Sequence, residues 1–320
     1  MSTRLPLSPT PTPIEPAPRL ARALGLGPDA LWLKRDDLLG LGGGGNKVRK
    51  LEWTVGDAVA AGADTLVTTG APQSNHARLT AAAAAKAGLS AILVFPGRPG
   101  ESASGNLVLD GLFGARVAWA GDVDDAGLAA TAREIATSLP AAALIPFGGS
   151  SVLGARGYVE GGRELHAQLP DLDTVVVAVG SGGTMAGLVA ALGPEHVLGV
   201  HSGAVDDPRA VVADLVAGLT GQELDPGVLR IRADQVGAGY GSQTDAVAEA
   251  MVTAARTEGI VLDPVYTGRA MAGLAAAVAD GTVHSGQRTV FLHTGGLPGL
   301  FGHDVAVARA EALLEIFDRG

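Results

Sequence analysis

Short runs of consecutive apolar residues alternate with longer stretches of helical spacing along almost the whole chain. The runs at residues 65–69, 91–95 and 175–179 are rich in branched aliphatic residues, and each is followed by glycine or proline. Such runs are typical of strands that are buried on both faces of a parallel sheet. Residues 48–61 instead carry an apolar residue at every third or fourth position, which predicts a helix with one buried face.

The number of these elements predicts the fold class. The pattern contains about eight to ten strands, which is many for one open sheet. We therefore expect an α/β protein with two open, twisted parallel-sheet domains that have helices on both faces. Ligands of such sheets bind outside the carboxyl ends of the strands, so we expect the active site in the interdomain cleft. The predicted strands are 30–36, 65–69, 91–95, 116–120, 142–146, 175–179, 197–201 and 289–293, and the predicted helices are 48–61, 74–85, 106–113, 124–138, 185–192 and 208–219.

Composition and charge narrow the class of function. Of the 320 residues, 47% are hydrophobic and 18% are charged, which is typical of a globular protein. The formal net charge is -10, so we expect neither a nucleic-acid partner nor a membrane. The most apolar region, residues 79–95, contains Lys86 and Gly88 and is interpreted as a helix followed by a strand. Cysteine is absent, which excludes disulfides and fits a cytoplasmic protein.

A glycine-rich turn follows the most apolar of the predicted strands. The turn is Gly180-Ser181-Gly182-Gly183-Thr184, and a helix is predicted directly after it. Backbone N–H groups, two hydroxyls and a helix N-terminus would together cradle a phosphate. The alternative is a tight turn with a serine cap. Because the chain has neither a P-loop nor a complete dinucleotide fingerprint, the turn favours pyridoxal phosphate, which also needs a lysine for its Schiff base.

Lys47 meets the requirements for that lysine. It follows the glycine run at 42–45 and begins a predicted helix, with Arg49 and Lys50 close by. Burial, the helix N-terminus and neighbouring cations all favour the uncharged amine that a Schiff base needs. The alternative is a solvated basic helix start after a flexible loop.

Both features belong to a set of motifs that extends over nearly the whole chain. The motifs are KRDD (34–37), GGNKVRKLE (44–52), TTGAPQSNHAR (68–78), GNLVLDGLFGA (105–115), GGSSVLGARGYVEG (148–161), GSGGT (180–184), LDPVYTGRAM (262–271) and HTGGLPGLF (293–301). In sequence and in order, this set resembles the D-cysteine desulfhydrase and 1-aminocyclopropane-1-carboxylate (ACC) deaminase family.

The resemblance implies a pyridoxal-phosphate enzyme with a tryptophan synthase β-like fold of type II and a small amino acid as substrate. It also implies a homodimer. Residues 1–48 plus 155–320 would form the large cofactor-binding domain, and residues 49–154 would form the small domain.

The resemblance also assigns roles to individual residues. Lys47 is similar to the lysine that carries the cofactor and moves protons at the substrate. Asn75 matches the asparagine beside the ring hydroxyl of the cofactor. Ser74, with Gln73 and the adjacent amides, matches the loop that holds the substrate carboxylate, a role that suits a helix N-terminus. Ser74 is also a natural N-cap, and the two roles are compatible. The turn at 180–184 matches the phosphate site.

Tyrosine is scarce, and two of the three tyrosines fall on family positions. Tyr240 and Tyr266 match the active-site tyrosines, whose phenols hydrogen-bond the substrate or transfer protons; the alternative is that they are packed core residues. Tyr158 is interpreted as packing. Thr267 and Thr294 stand where ACC deaminases carry glutamate and leucine, whereas D-cysteine desulfhydrases carry threonine at both positions.

These threonines favour β-elimination over ring opening. A neutral hydroxyl near the pyridine nitrogen makes the cofactor a weaker electron sink than a glutamate does. A weaker sink is sufficient for loss of the α-proton followed by departure of a good leaving group from Cβ, whereas opening a cyclopropane ring requires a stronger one. We expect D-cysteine to be converted to pyruvate, sulfide and ammonia. The alternatives are an L-cysteate sulfo-lyase, an ACC deaminase and, in a different class, a non-catalytic pyridoxal-phosphate-binding protein.

Two segments depart from the family pattern, so the identity of the leaving group is not decided by the resemblance. Pro72 replaces an aliphatic residue, and residues 201–210 are unlike the usual segment. The histidines are scattered, with no pair at helical i,i+4 spacing, so no metal site is predicted.

Overall fold

The apolar runs form two separate sheets with helices on both faces. The computed structural model describes residues 3–315. Every predicted strand and helix is present, and no end is displaced by more than two residues. The strands are β1 (Ile14–Pro16), β2 (Leu31–Lys34), β3 (Thr65–Thr69), β4 (Ser90–Phe95), β5 (Arg116–Trp119), β6 (Ala142–Leu144), β7 (Thr174–Val179), β8 (Val197–His201), β9 (Arg230–Arg232) and β10 (Thr289–Leu292). The helices are α1 (Pro18–Ala23), α2 (Lys47–Ala60), α3 (Asn75–Ala87), α4 (Asn106–Leu112), α5 (Asp125–Ser138), α6 (Val152–Gln168), α7 (Gly183–Leu192), α8 (Pro208–Thr220), α9 (Asp245–Glu258), α10 (Thr267–Ala279), α11 (Leu297–Leu300) and α12 (Asp304–Glu311).

The larger sheet has six strands in the order β1-β2-β10-β7-β8-β9. The central strand β7 is buried along its whole length. Val176 and Ala178 point to the core beneath α1, α9 and α10, whereas Val175 and Val177 point to the core beneath α6, α7 and α8. All pairs are parallel except β1 with β2, which is antiparallel. The apolar pattern did not predict β1, a short edge strand that ends in a proline, which an edge strand tolerates.

The smaller sheet has four parallel strands in the order β5-β4-β3-β6. One face packs against α2 and α3, and the other packs against α5. The predicted domain division stays a prediction, and its ends at residues 1–2 and 316–320 lie outside the described residues. No described helix is long and apolar enough to cross a membrane.

The glycine-rich helix α6, which the apolar pattern did not predict, fixes the position of α2. It is packed so closely that a Cβ at Gly157 would lie 2.1 Å from the carbonyl oxygen of Arg49, and one at Gly154 would lie 2.2 Å from that of Gly149. Glycine weakens an isolated helix, so these positions reflect close backbone approach rather than helix propensity. Since α2 begins at Lys47, α6 helps to place the predicted catalytic lysine.

Candidate active site

One cavity of about 540 Å³ lies between the carboxyl ends of the two sheets. Loops that follow β3 and β6 line it from the smaller sheet, and loops that follow β7, β8 and β10 line it from the larger one. This is where parallel α/β sheets bind ligands. Ten of the predicted site residues line the cavity: Lys47, Ser74, Asn75, Gly180, Ser181, Gly182, Thr184, Tyr240, Tyr266 and Thr294.

A closely packed glycine loop delivers Lys47 to this cavity. Residues 42–45 all have positive φ, which favours glycine. A Cβ at Gly44 would lie 2.0 Å from the carbonyl oxygen of Asp37, and one at Gly45 would lie 2.9 Å from that of Thr294. Lys47 then occupies the first position of α2, and its Nζ lies 3.7 Å from the place where a Cβ on Gly148 would be. The glycine run is therefore an ordered turn and not a flexible linker.

Lys47 lies in an environment that favours the neutral amine. Burial lowers its pKa to about 8. Lys50 lies on the same face of α2, and burial together with the charge of Lys47 holds the pKa of Lys50 well below its ordinary value. The expectation that Arg49 is a further cationic neighbour is wrong. Arg49 turns to the opposite side, where it binds Asp36 at 2.8 Å and Glu164 at 2.9 Å.

Lys50 and Ser150 complete the predicted phosphate turn. Sequence reasoning identified Lys50 only as a cationic neighbour of Lys47, and it missed Ser150. Lys50 Nζ donates to Ser150 Oγ at 2.9 Å, and Ser150 Oγ lies 2.8 Å from Ser181 Oγ. The backbone N–H of Gly183 also donates to Ser150 Oγ, at 3.1 Å. Gly183 thus supports the turn without lining the cavity. The available signal was the spacing of Lys47 and Lys50, because residues at i and i+3 share one face of a helix.

The turn has the features that a phosphorylated cofactor needs. The N-terminus of α7, the hydroxyls of Ser181 and Thr184 and the amine of Lys50 surround one end of the cavity. Asn46 Nδ2 fixes Thr184 by donating to its Oγ1 at 2.9 Å. A Cβ at Gly180 would lie 3.0 Å from the Tyr266 ring, so the absence of a side chain there keeps the space open. Hydroxyl, amine and helix N-terminus together fit a phosphate.

The start of α3 has a second group of anion-binding donors. Ser74 is the N-cap, because its Oγ accepts from Ala77 N at 3.1 Å, and it also lines the cavity beside Asn75. The structure places Gln73 outside the cavity. Its side chain donates to Ser104 O and accepts from Asn106 N, so it fastens this loop to α4.

Tyr240 and Tyr266 form a hydrogen-bonded pair at the wall of the cavity. Their hydroxyl oxygens are 2.5 Å apart, and their rings meet edge to face at 72°. Burial raises the pKa of both phenols, so both are held neutral as proton donors. Arg269 fixes the loop of Tyr240 by donating to the carbonyl oxygens of Ser202, Gly239, Tyr240 and Ser242.

The structure separates the two threonines that bear on substrate choice. Thr294 lines the cavity, but Thr267 is buried outside it and donates from Oγ1 to Asp263 Oδ1 at 2.7 Å. Asp263 itself lines the cavity and also accepts from the backbone N–H groups of Val265 and Tyr266. The assignment of Thr267 as a direct cofactor contact therefore finds no geometric support. The short acidic turn before Tyr266 was the signal for Asp263, because aspartate commonly accepts such local backbone bonds.

His76 is a further cavity residue that sequence reasoning missed. Thr68 Oγ1 donates its single hydrogen to Ile145 O at 2.9 Å, so it must accept from His76 Nε2, which lies 2.9 Å away. This leaves Nδ1 unprotonated, buried and without a partner among residues 3–315. Burial and the two lysines hold the pKa of His76 well below its ordinary value, which keeps the ring neutral.

The two departures from the family pattern lie at different distances from the site. Pro72 does not line the cavity, whereas residues 203–206 do. His201 braces that segment, since its Nε2 lies 2.9 Å from Val205 O. Within residues 3–315, no group of three histidine, aspartate or glutamate side chains is arranged to hold a metal ion.

Comparison with known proteins identifies the family. A family model described as "Pyridoxal-phosphate dependent enzyme" matches residues 5–295. The chain is similar to proteins named D-cysteine desulfhydrase from Salmonella schwarzengrund, at 41% identity, and Salmonella paratyphi B, at 40% identity. Each match covers 94% of this chain and 96% of the relative.

Solved structures agree with this assignment. A crystal structure described as an ACC deaminase homologue matches with a TM-score of 0.87 and 37% identity, over 96% of both chains. The processed form of threonine deaminase isoform 2 from Solanum lycopersicum matches with a TM-score of 0.65 over 94% of this chain and 83% of that one; at 18% identity it supports the fold alone. The predicted fold class and cofactor are confirmed, and the chain belongs to the family of pyridoxal-phosphate-dependent enzymes.

Proposed function

We propose that the protein catalyses β-elimination on D-cysteine, giving pyruvate, sulfide and ammonia with the uptake of one water. The observation that carries this proposal is the convergence of three features on one cavity. These are the Lys47 amine, the N-terminus of α3 at Ser74 and the tyrosine pair. The names of relatives that are about 40% identical over 94% of the chain support the choice of substrate.

The residues around the cavity fit the cofactor at both of its ends. Lys47 would attach to the aldehyde carbon, and Asn75 would lie beside the ring hydroxyl. Lys50, Ser181 and Thr184 would hold the phosphate at the start of α7. When bound, the cofactor supplies an electron sink for a substrate carbanion.

The remaining steps fall to the protein's own side chains. The N-terminus of α3 and the Ser74 hydroxyl orient the substrate carboxylate. Lys47 takes the α-proton, a role that its lowered pKa favours. One phenol of the pair, Tyr240 or Tyr266, donates a proton to the departing sulfur, and the other stabilises the phenolate by its hydrogen bond.

The first test is product release from purified protein supplemented with pyridoxal phosphate. We expect equal amounts of pyruvate and sulfide from D-cysteine, with L-cysteine as the stereochemical control. Sulfite from L-cysteate would indicate the sulfo-lyase, and 2-oxobutanoate from ACC would indicate ring opening. A visible cofactor band without turnover of any of these substrates would contradict the proposal and favour a non-catalytic binding protein.

We also propose that the enzyme works as a homodimer, as the resemblance of its sequence implies, and that it is cytoplasmic, which fits the absence of cysteine. Sedimentation of the holoenzyme should then give twice the chain mass of 31.9 kDa. A single species of chain mass at working concentration would contradict the dimer. Fractionation of the source cells should place the protein with cytoplasmic markers, and its recovery with membrane or secreted markers would contradict that location.

A further inference from the structure

Arg78 lies one helical turn beyond Asn75 on α3, and its side chain is completely buried. Its guanidinium spans three segments of the molecule. Nη1 donates to the carbonyl oxygens of Gly42 at 2.6 Å and Gly44 at 3.0 Å. Nη2 donates to Asn75 Oδ1 at 3.2 Å, and Nε donates to Asn106 Oδ1 at 3.1 Å. One side chain therefore joins the glycine loop, α3 and α4.

These bonds fix which way the Asn75 amide faces. Its Oδ1 accepts from Arg78 and also from Asn106 Nδ2 at 3.1 Å. Reversing the amide would set its NH₂ group against two donors, which is unfavourable. Asn106 is held in turn, because its Nδ2 also donates to Gln73 O at 2.8 Å. The amide N–H groups of Asn75 are consequently the polar atoms left to face the cavity.

The same guanidinium holds the loop that leads to Lys47. The loop consists of glycines at positive φ, which lose more backbone entropy on ordering than other residues. Two charge-assisted bonds to Gly42 and Gly44 offset that cost at the point where the chain turns into α2. A lysine at position 78 could not make the same set of bonds, because a single ammonium lacks the planar fork of donors.

The hydrogen bonds of Arg78 all go to neutral oxygens. Asp110 is the nearby acidic residue, yet neither of its carboxylate oxygens has a hydrogen-bond partner among the described residues. Burial raises the pKa of Asp110 to about 7 and lowers that of Arg78 to about 10. Arg78 thus uses its N–H groups to hold the glycine loop, Asn75 and Asn106, and it forms no salt bridge with Asp110.

We propose that Arg78 is a positioning residue that fixes Asn75 as a hydrogen-bond donor toward the ring hydroxyl of the cofactor and orders the loop that presents Lys47. A donor at that place stabilises the ionised ring oxygen and keeps a proton off it. The inference rests on the contacts proposed for Lys47 and Asn75. Its tests use no substrate, so failure of D-cysteine turnover leaves them interpretable.

The first test compares Arg78→Lys and Arg78→Gln with the exposed control Arg133→Gln. After loading with pyridoxal phosphate, the pH at which the visible band changes should rise in both Arg78 variants, because the ring oxygen becomes easier to protonate. In the apoproteins, hydrogen exchange at residues 42–46 should be about tenfold faster, as expected for losing bonds of this strength. The control should change neither property. Unchanged spectra and unchanged loop exchange in folded Arg78 variants would overturn the proposal.

A second variant keeps the proposal testable if the Arg78 variants do not fold. Asn75→Asp preserves both acceptor contacts and strengthens the bond to Arg78 by adding charge. It replaces the donor that faces the cavity with a carboxylate oxygen, and both the lost donor and the added negative charge make the ionised ring oxygen less favourable. We expect a folded protein whose visible band shows the same raised midpoint, together with normal exchange in the glycine loop. A wild-type spectrum in Asn75→Asp would show that the amide donor does not act on the ring oxygen.

Discussion

Neighbouring positions of α2 send basic side chains into two opposite environments. Arg49 enters a cluster in which it binds Asp36 at 2.8 Å and Glu164 at 2.9 Å. Lys47 and Lys50 enter the cavity, where no described carboxylate lies within salt-bridge distance of either amine. All three residues lie within four positions of the sequence, so the contrast arises from what the fold places opposite each one.

The cluster around Arg49 is saturated with partners. Lys34 binds Glu164 and Gln168, and the Tyr158 hydroxyl donates to Asp36 Oδ2 at 2.5 Å. Asp36 and Arg49 hold each other ionised: Arg49 lowers the pKa of the carboxyl, and Asp36 raises that of the guanidinium. The prediction that Tyr158 has a packing role is confirmed by its burial in this cluster. A buried charge network of this kind stabilises one arrangement of the chain, and it depends on every member.

The cavity amines have the opposite property. Their pKa values are lowered because the fold buries them without a counter-charge. An anionic, carbonyl-bearing ligand would supply both missing partners, a phosphate for Lys50 and an aldehyde for Lys47. Among the basic residues at the start of α2, paired buried charge therefore belongs to the structural cluster, and unpaired buried charge belongs to the binding site.

The largest expected effect is loss of turnover in Lys47→Ala. This change removes the covalent attachment and the base together, so activity should fall by about 10⁴-fold or more. The visible absorption of the loaded protein should disappear as well, while the far-ultraviolet circular dichroism stays unchanged. An active variant that retains the visible band would contradict the role of Lys47.

Breaking the paired cluster should instead destabilise the fold. Arg49→Met leaves Asp36 and Glu164 buried without their main partner, which should cost about 3–5 kcal/mol in the free energy of unfolding. The matched control is Arg163→Met on α6, an exposed residue whose loss should change stability by about 0.5 kcal/mol or less. Denaturant unfolding of the apoproteins measures both. Equal stabilities of the two variants would show that the cluster is not structural.

Removing the unpaired amine should separate binding from stability. Lys50→Met deletes a buried amine without leaving a carboxylate unpaired, and Ser150 Oγ keeps its contacts with Ser181 and Gly183, so the unfolding free energy of the apoprotein should change by less than about 1 kcal/mol. Loss of a charge-assisted bond to phosphate should weaken pyridoxal phosphate binding about 10- to 100-fold. Pyridoxal without the phosphate provides the control, since its binding should not change. A large loss of apoprotein stability would place Lys50 in the structural class with Arg49.

Part of this contrast was accessible from the sequence. Apolar runs predicted the strands, and the glycine loop with the Gly180–Thr184 turn identified both ends of the cofactor site. The direction of Arg49 was not predictable, because it depends on Glu164 of α6, far away in the sequence and reached only through glycine-mediated packing. Asp263 was missed although it had a local signal, the turn that leads into α10, because its position beside the cavity depends on the packing of that helix. Local patterns predict elements and turns, whereas side-chain partners follow from long-range packing.

The smallest effect is a pH dependence, and it tests the unpaired state directly. With a pKa of about 8, Lys47 is deprotonated in the folded apoprotein well below the ordinary lysine value of 10.5. The rate at which the apoprotein captures pyridoxal phosphate should rise with pH and level off near 8, whereas a free lysine amine captured under the same conditions should go on accelerating. Ionisation of pyridoxal phosphate affects the apoprotein rate and the free-amine rate equally, so dividing one rate by the other cancels its effect.

Stability should follow the same titration with a defined sign. Between pH 8 and 10.5 the unfolded chain binds a proton at Lys47 that the folded chain does not, so unfolding free energy rises with pH in that window. Below pH 8 the full penalty of the buried ammonium is present. Lys47→Met lacks this group, and its stability advantage over the wild-type apoprotein should therefore shrink as pH rises from 8 to 10.5. If the stability difference between Lys47→Met and wild type stayed constant across that window, Lys47 would titrate as an ordinary solvated lysine. The contrast between the paired Arg49 and the unpaired Lys47 would then be wrong, because it depends most on Lys47.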